Sequence, residues 1–176
     1  MSSIIIVFPK LENGKRMKDI LLQNGFEIEA VCSTGAGVLE KVQQLDYGII
    51  VGSYRYTDMF YTEMLEYLPR EFKMLLVASE QVLDQYGCGE VMTIRQPFKV
   101  SELVDTLHMM EAIQEKQIQK KARSKNDKKR IEEAKQVLMA RNHMTEEEAH
   151  RYLQKTSMDS GTNMVETAQM ILMLMS

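Results

Sequence analysis

Over its first 110 residues the chain alternates short apolar runs with amphipathic stretches five times, and this restricts the fold more than any other feature. Residues 4–8 are a near-continuous run of Ile, Val and Phe, rich in β-branched side chains, as expected of a strand buried on both faces. Residues 15–24 place Met17, Ile20 and Leu21 at helical spacing, and Gly25 supplies the left-handed stop that ends such a helix. The pattern then repeats, with strands at 26–32, 48–51, 74–78 and 91–94 and helices at 37–45, 59–68 and, weakly, 82–86, before a last helix opens at Ser101. Strands that alternate with helices must pair in parallel through crossovers. The expected fold is therefore α/β, a five-stranded doubly wound parallel sheet.

Beyond residue 100 the pattern turns all-helical. Val100, Leu103, Leu107 and Met110 recur at alternating three- and four-residue spacing, which reads as a coiled-coil seam of about two heptads. Gln114, Gln117 and Lys121 continue the register poorly, but 101–123 holds neither Gly nor Pro, so one long helix is expected. Residues 124–127 are the expected break, with Asp127 capping a new helix from Lys128. Three helices follow, forming a small all-α domain. Ile131, Ala134, Val137 and Leu138 mark the face of the first. Thr145 and Glu148 form a capping box for the second, whose apolar face is Ala149, Tyr152 and Leu153. After a turn at 157–161, Asn163 and Glu166 suggest a second box opening the third helix. The expected divisions are 1–110 for the sheet domain, 111–127 for a coiled-coil and basic linker, and 128–176 for the three-helix domain.

Charge separates the same parts. Residues 1–115 carry 10 basic and 17 acidic side chains, whereas 116–176 carry 12 basic and 8 acidic ones. Eight of the basic residues fall in 116–130, against the single acid Asp127. An acidic body with a basic segment points to nucleic acid or an acidic partner, unless the segment is simply a solvated helix face. Several classes are excluded. No apolar run reaches the roughly 20 residues of a membrane span, and the N-terminus lacks the basic start and cleavage site of a signal peptide. Cys32 and Cys88 are expected to be free thiols of a cytoplasmic protein. His143 and His150 have no partners at ligand spacing, so no metal is expected. Gly35-Ala36-Gly37 reads as a plain turn rather than a dinucleotide loop, and no arrangement of the three histidines builds a catalytic triad. Neither cofactor nor enzyme activity is expected.

The element order and the tripeptide Gln96-Pro97-Phe98 resemble a response-regulator receiver domain, which ends its fifth strand with Lys-Pro-Phe or similar. The resemblance covers residues 4–110, but the family's reactive positions differ. Phe8-Pro9-Lys10 stands where receivers carry the acidic pair that holds magnesium. Val51-Gly52-Ser53 stands where they carry the phosphoacceptor aspartate, and Gln96 replaces the lysine before the proline. Only Ser79 matches the hydroxyl residue after strand four. Magnesium needs hard oxygen ligands and phosphoryl transfer needs a nucleophile with charge neutralisation. A pocket of Phe8, Pro9, Val51, Gly52, Ser79 and Gln96 supplies neither, so the resemblance is to a pseudo-receiver that cannot be phosphorylated in the usual way.

The tail resembles an ANTAR domain. The residues that carry this are Ala134-Lys135-Gln136-Val137-Leu138-Met139, then Thr145-Glu146-Glu147-Glu148-Ala149 with Leu153, and Met164-Val165-Glu166-Thr167-Ala168. That family binds paired hairpins in nascent leader RNA and blocks formation of a terminator, usually joined by a coiled coil to a receiver or pseudo-receiver. The resemblance implies RNA contacts at Lys135, Arg141, Arg151 and Lys155, the last two sharing one helix face. Asn163 either caps the third helix or reaches a base edge. Lys128 and Lys129 either add nonspecific affinity or form a solvated hinge. The expected protein is an antitermination regulator of a two-component type. Its expected partners are leader RNA, a second copy through helix 100–120, and a sensor or ligand-binding regulatory protein. The competing expectation is an interaction and dimerisation module without RNA, which a salt series separates from the first.

Overall fold

The computed structural model describes residues 2–86 and 89–175, which form two compact units, Met1–Glu115 and Lys116–Ser176. In the first unit the strands are β1 (Ser3–Val7), β2 (Ile28–Cys32), β3 (Gly48–Gly52), β4 (Phe72–Ser79) and β5 (Met92–Gln96). All neighbours pair in parallel, in the order β2-β1-β3-β4-β5. Between them lie α1 (Leu11–Gln23), α2 (Gly35–Val42), α3 (Tyr61–Tyr67) and α4 (Glu80–Tyr86), and α5 starts at Val100. Gly25, at φ +85°, ends α1 as the sequence requires. Cys88, expected as a free thiol, lies outside the described residues, while Cys32 is free and half-buried, and that burial pushes its thiol pKa up.

Alternation along each strand divides the core between the two faces of the sheet. Ile4, Ile6, Ile49, Val51, Leu75, Val77 and Ile94 pack with Met17 and Leu21 of α1. Ile5, Val7, Ile50, Met74 and Leu76 pack with Val38 and Val42 of α2 and with Tyr61 and Met64 of α3. Strands buried on both faces explain why β1 and β3 read as unbroken apolar runs.

Leu103, Leu107 and Met110, expected as a seam between two chains, are buried in the first of these clusters against the chain's own sheet. A three/four spacing marks one apolar helix face without saying what covers it, and here the sheet does. Gln114, one step further along, is 2% exposed. Its Nε2 donates to the carbonyls of Gly48 (2.8 Å) and Glu71 (2.9 Å), and its Oε1 accepts from the Ser2 hydroxyl.

The expected break at 124–127 is absent, and α5 runs as one helix, Val100–Asn142. Ser, Asn and Asp are weak helix formers but not breakers, and Lys125 is a good one, so the four do not end a helix that extends on both sides of them. The second unit adds α6 (Glu146–Ser160) and α7 (Met164–Met175). The Thr145–Glu148 capping box is formed as expected. Residues 157–160, expected as a turn, continue α6, and Gly161 in the left-handed region (φ 68°) stops it. Ala134, Leu138, Ala149, Leu153, Ala168 and Ile171 make this unit's core. Tyr152, expected in that core, is 42% exposed, because Leu153 rather than its neighbour faces inward. Among the described residues no helix is long and apolar enough to cross a membrane.

Candidate nucleic-acid interface

Alanines at 134, 149 and 168 let the three helices of the second unit approach closely, and this fixes where their flanking side chains emerge. Lys135 follows buried Ala134 on α5, and Arg151 lies two residues beyond buried Ala149 on α6. The two cations line one cleft of about 320 Å³, shared with Glu146, Glu147 and His150. Two of the expected RNA residues are thus brought together from different helices. The acids beside them were not candidates in the sequence, where Glu146 and Glu147 looked only like first-turn residues of a capped helix, and His150 was weighed only as a metal ligand.

The other expected residues lie elsewhere. Lys155 is exposed one turn beyond Arg151, and Arg141 is exposed in the last turn of α5. Asn163 is a cap, its side-chain oxygen accepting from the Glu166 amide at 2.9 Å. Lys128 joins Gln117, Lys120, Lys121, Ser124 and Lys125 along one shallow groove of α5, at the spacing of a single helix face, whereas Lys129 falls off that stripe. Lys120, Lys121 and Lys125 were visible in the sequence only as part of a charge run. Continuity of the helix through 124–127 is what aligns them.

In the first unit, a cleft of about 400 Å³ opens at the carboxyl ends of β1, β3, β4 and β5. Phe8, Pro9, Ser79 and Gln96 line it as expected, together with Ser53. Val51 and Gly52 do not. Val51 is wholly buried under the sheet's α1 side, and a side chain at Gly52 would lie 2.5 Å from the Val7 carbonyl oxygen. Among the described residues no carboxylate lines this cleft. Asp58, the acid after β3, instead accepts from the Gly35 and Ala36 amides (2.8 and 3.0 Å) at the start of α2. Partial burial would raise its pKa, but those hydrogen bonds outweigh it and hold the carboxyl below the usual range. Among the described residues no group of three His, Cys, Asp or Glu could hold a metal ion.

The cleft also contains Asn13 and Arg16 of α1, which sequence reading missed. Their spacing to Met17 and Ile20 was the available signal, since all four share one helix face.

No curated protein matches the chain in sequence. Among solved structures, the first unit is similar to a receiver domain from Methylobacillus flagellatus, with 18% identity, a TM-score of 0.54, and coverage of 62% of this chain and 98% of that one. A receiver domain protein from Methanospirillum hungatei JF-1 aligns at 24% identity and TM-score 0.55, covering 66% of this chain and 98% of that one. A receiver-modulated diguanylate cyclase from Pelobacter carbinolicus aligns at 12% identity and TM-score 0.56, covering 68% and 99%. At these identities the likeness establishes the fold. The ANTAR domain profile matches residues 116–172, which is nearly the whole second unit. The chain thus carries an ANTAR domain after a receiver-fold unit, an order of parts that matches the architecture of the ANTAR response regulators.

Proposed function

We propose that this protein is an RNA-binding transcription antitermination regulator. Its ANTAR unit holds paired hairpins of nascent leader RNA in an arrangement that excludes the terminator stem. The observation that carries this reading is the cleft in which Lys135 and Arg151, from two helices, stand beside Glu146 and Glu147. Cations alone would serve phosphates, whereas cations next to carboxylates offer both donors and acceptors, as reading the edges of unstacked loop bases requires. The basic stripe Lys120, Lys121, Lys125 and Lys128 adds sequence-independent attraction to the backbone. Arg141 and Lys155 extend the surface, and Asn163 positions α7. In this reading 128–176 is the RNA-binding module and 111–127 a linker helix. Two copies pair through the side of α5 that the sheet leaves open, where Met109 and Ile113 are exposed one turn apart. Pairing raises the effective concentration of the second module at a two-hairpin site. The protein is regulatory rather than enzymatic.

The first unit acts as a pseudo-receiver. In support of this, no carboxylate among the described residues lines its cleft, and both a magnesium site and an aspartyl nucleophile need one there. Incubation with acetyl phosphate and magnesium is expected to leave the intact mass unchanged. An added phosphoryl group that is lost in hydroxylamine and maps to an aspartate would contradict this.

A gel-shift on two-hairpin leader RNA tests the RNA reading. Lys135→Ala with Arg151→Ala is expected to weaken binding about 100-fold, from two charged hydrogen bonds of about 1.5 kcal/mol each. It should also flatten the dependence of log affinity on log salt by about 1.5 to 2 units. Binding that ignores both salt and the double change would favour the second reading, a protein-interaction module. That reading has in its support an aromatic cluster on the first unit, where Tyr54 and Tyr86 stack at 5.5 Å and exposed Phe60 adjoins both.

A further inference from the structure

In open α/β sheets, ligands sit outside the carboxyl ends of the strands, at the point where the strand order reverses. Here that point lies between β1 and β3, and the cleft of about 400 Å³ occupies it. In receivers this is the place for a cation held by carboxylates. In this chain the one charged residue that lines it, among the described residues, is Arg16, a cation.

The polar groups around Arg16 are arranged as donors. Arg16 and Asn13 lie one turn apart on α1, and Gln96 ends β5. Among the described residues none of these three side chains has a hydrogen-bond or ion-pair partner. Ser79 Oγ accepts from the Val82 amide at 3.4 Å, which leaves its hydroxyl proton free to donate. Ser53 differs, since its hydroxyl is committed to the Arg55 carbonyl at 3.0 Å. Beneath these groups the walls are apolar, with Phe8, Met17 and Val77 all buried. A concave site with apolar walls and a few convergent polar groups is the usual make-up of a small-molecule pocket, and about 400 Å³ lies within the common size range.

We infer that this cleft binds a small organic anion, a carboxylate or phosphate monoester carried on an aromatic or similarly flat apolar body. Arg16 forms a two-pronged pair with the anionic head. Asn13, Ser79 and Gln96 supply neutral donors, and the body lies against Phe8 and Met17. Taken with the reading of the first unit as a signal input, reversible anion binding stands where receivers use phosphoryl transfer.

The test is a 1H–15N NMR titration of the full chain with phenyl phosphate, benzoate, inorganic phosphate and the neutral benzamide. Phenyl phosphate or benzoate is expected to give saturable shifts confined to amides around Asn13, Ser53, Ser79 and Gln96. Arg16→Ala is expected to weaken that binding about tenfold or more, the scale of one charge-assisted hydrogen bond. Because Arg16 is exposed and unpartnered, its removal should leave the melting temperature of the free protein unchanged. Three results would overturn the inference: no saturable shift with either organic anion up to about 10 mM at low salt, benzamide or inorganic phosphate binding as tightly, or full affinity in Arg16→Ala. RNA is absent from the titration. A negative result therefore leaves the antitermination reading standing, and a failed gel-shift leaves the anion site standing.

Discussion

Leu153→Ala is expected to unfold the three-helix unit while the sheet unit stays folded. Leu153 is fully buried, and among the described residues it is one of only six buried side chains in this core, three of them alanines. Truncating a buried leucine costs about 2–5 kcal/mol, because the methyl groups lose their burial and the surrounding helices close the cavity only in part. A core in a unit of about 60 residues rarely supplies more than about 3–5 kcal/mol in total. The substitution therefore removes most of what holds α6 and α7 in place. Helices of 15 and 12 residues do not persist alone in water. Hydrogen exchange checks this, with amides of α6 and α7 losing protection while those of β1, β3 and β4 keep theirs. Leu153→Met, which nearly conserves volume, should cost less than about 1.5 kcal/mol and retain protection. Tail amides that remain protected in the alanine variant would show that the unit draws its stability from elsewhere.

Gln114→Met is expected to destabilise the sheet unit by about 2–4 kcal/mol despite its similar volume. The cost comes from what is left behind, since the carbonyls of Gly48 and Glu71 and the Ser2 hydroxyl each lose a buried partner. An orphaned buried group costs about 1–3 kcal/mol, and edge relaxation recovers part of the sum. Gln114→Glu should be worse still. Its carboxylate would face two carbonyl oxygens and has no donor to offer them. Urea denaturation followed through β-sheet ellipticity orders the three proteins. A methionine variant as stable as the parent would mean that the Gln114 contacts contribute little to docking α5.

Gln114 also shows where sequence reading stopped. The run Val100, Leu103, Leu107 and Met110 was legible as one helix face, and the sequence signal is the same whether a second helix or a sheet covers it. In a coiled coil Gln114 would be a defect in the seam. Against a sheet it is a plug for carbonyls near the starts of β3 and β4, and only tertiary placement separates the two. The five strands were plain because burial on both faces leaves unbroken β-branched runs, and the capping box at Thr145 and the left-handed stop at Gly25 were plain because both are local chemistry. Residues 124–127 misled because poor helix propensity is a weak preference that long flanking helices override. Tyr152 misled because its position beside Leu153 fits an apolar face within one residue, and a helix turns 100° per residue.

Of the candidate sites, Lys135 and Arg151 could be picked from the motif that carries them. Their shared cleft with Glu146 and Glu147 could not, because it joins α5 to the start of α6 across a bend whose geometry no local pattern encodes. The receiver-type cleft was legible by what it lacks, acids at the very ends of β1 and β3, where Phe8 and Gly52-Ser53 stand. What it has instead, Arg16 and Asn13, lies on a helix that such a comparison does not inspect.

In the function proposed above, this protein prevents transcription termination by holding leader RNA. Single-round transcription in vitro tests it most directly, on a template whose leader encodes two small-looped hairpins ahead of an intrinsic terminator. Readthrough is expected to rise with protein concentration, to fall as salt is raised, and to return to the protein-free level with Lys135→Ala and Arg151→Ala together. Readthrough that stays at the protein-free level with the parent protein, on leaders it binds in a gel-shift, would contradict it.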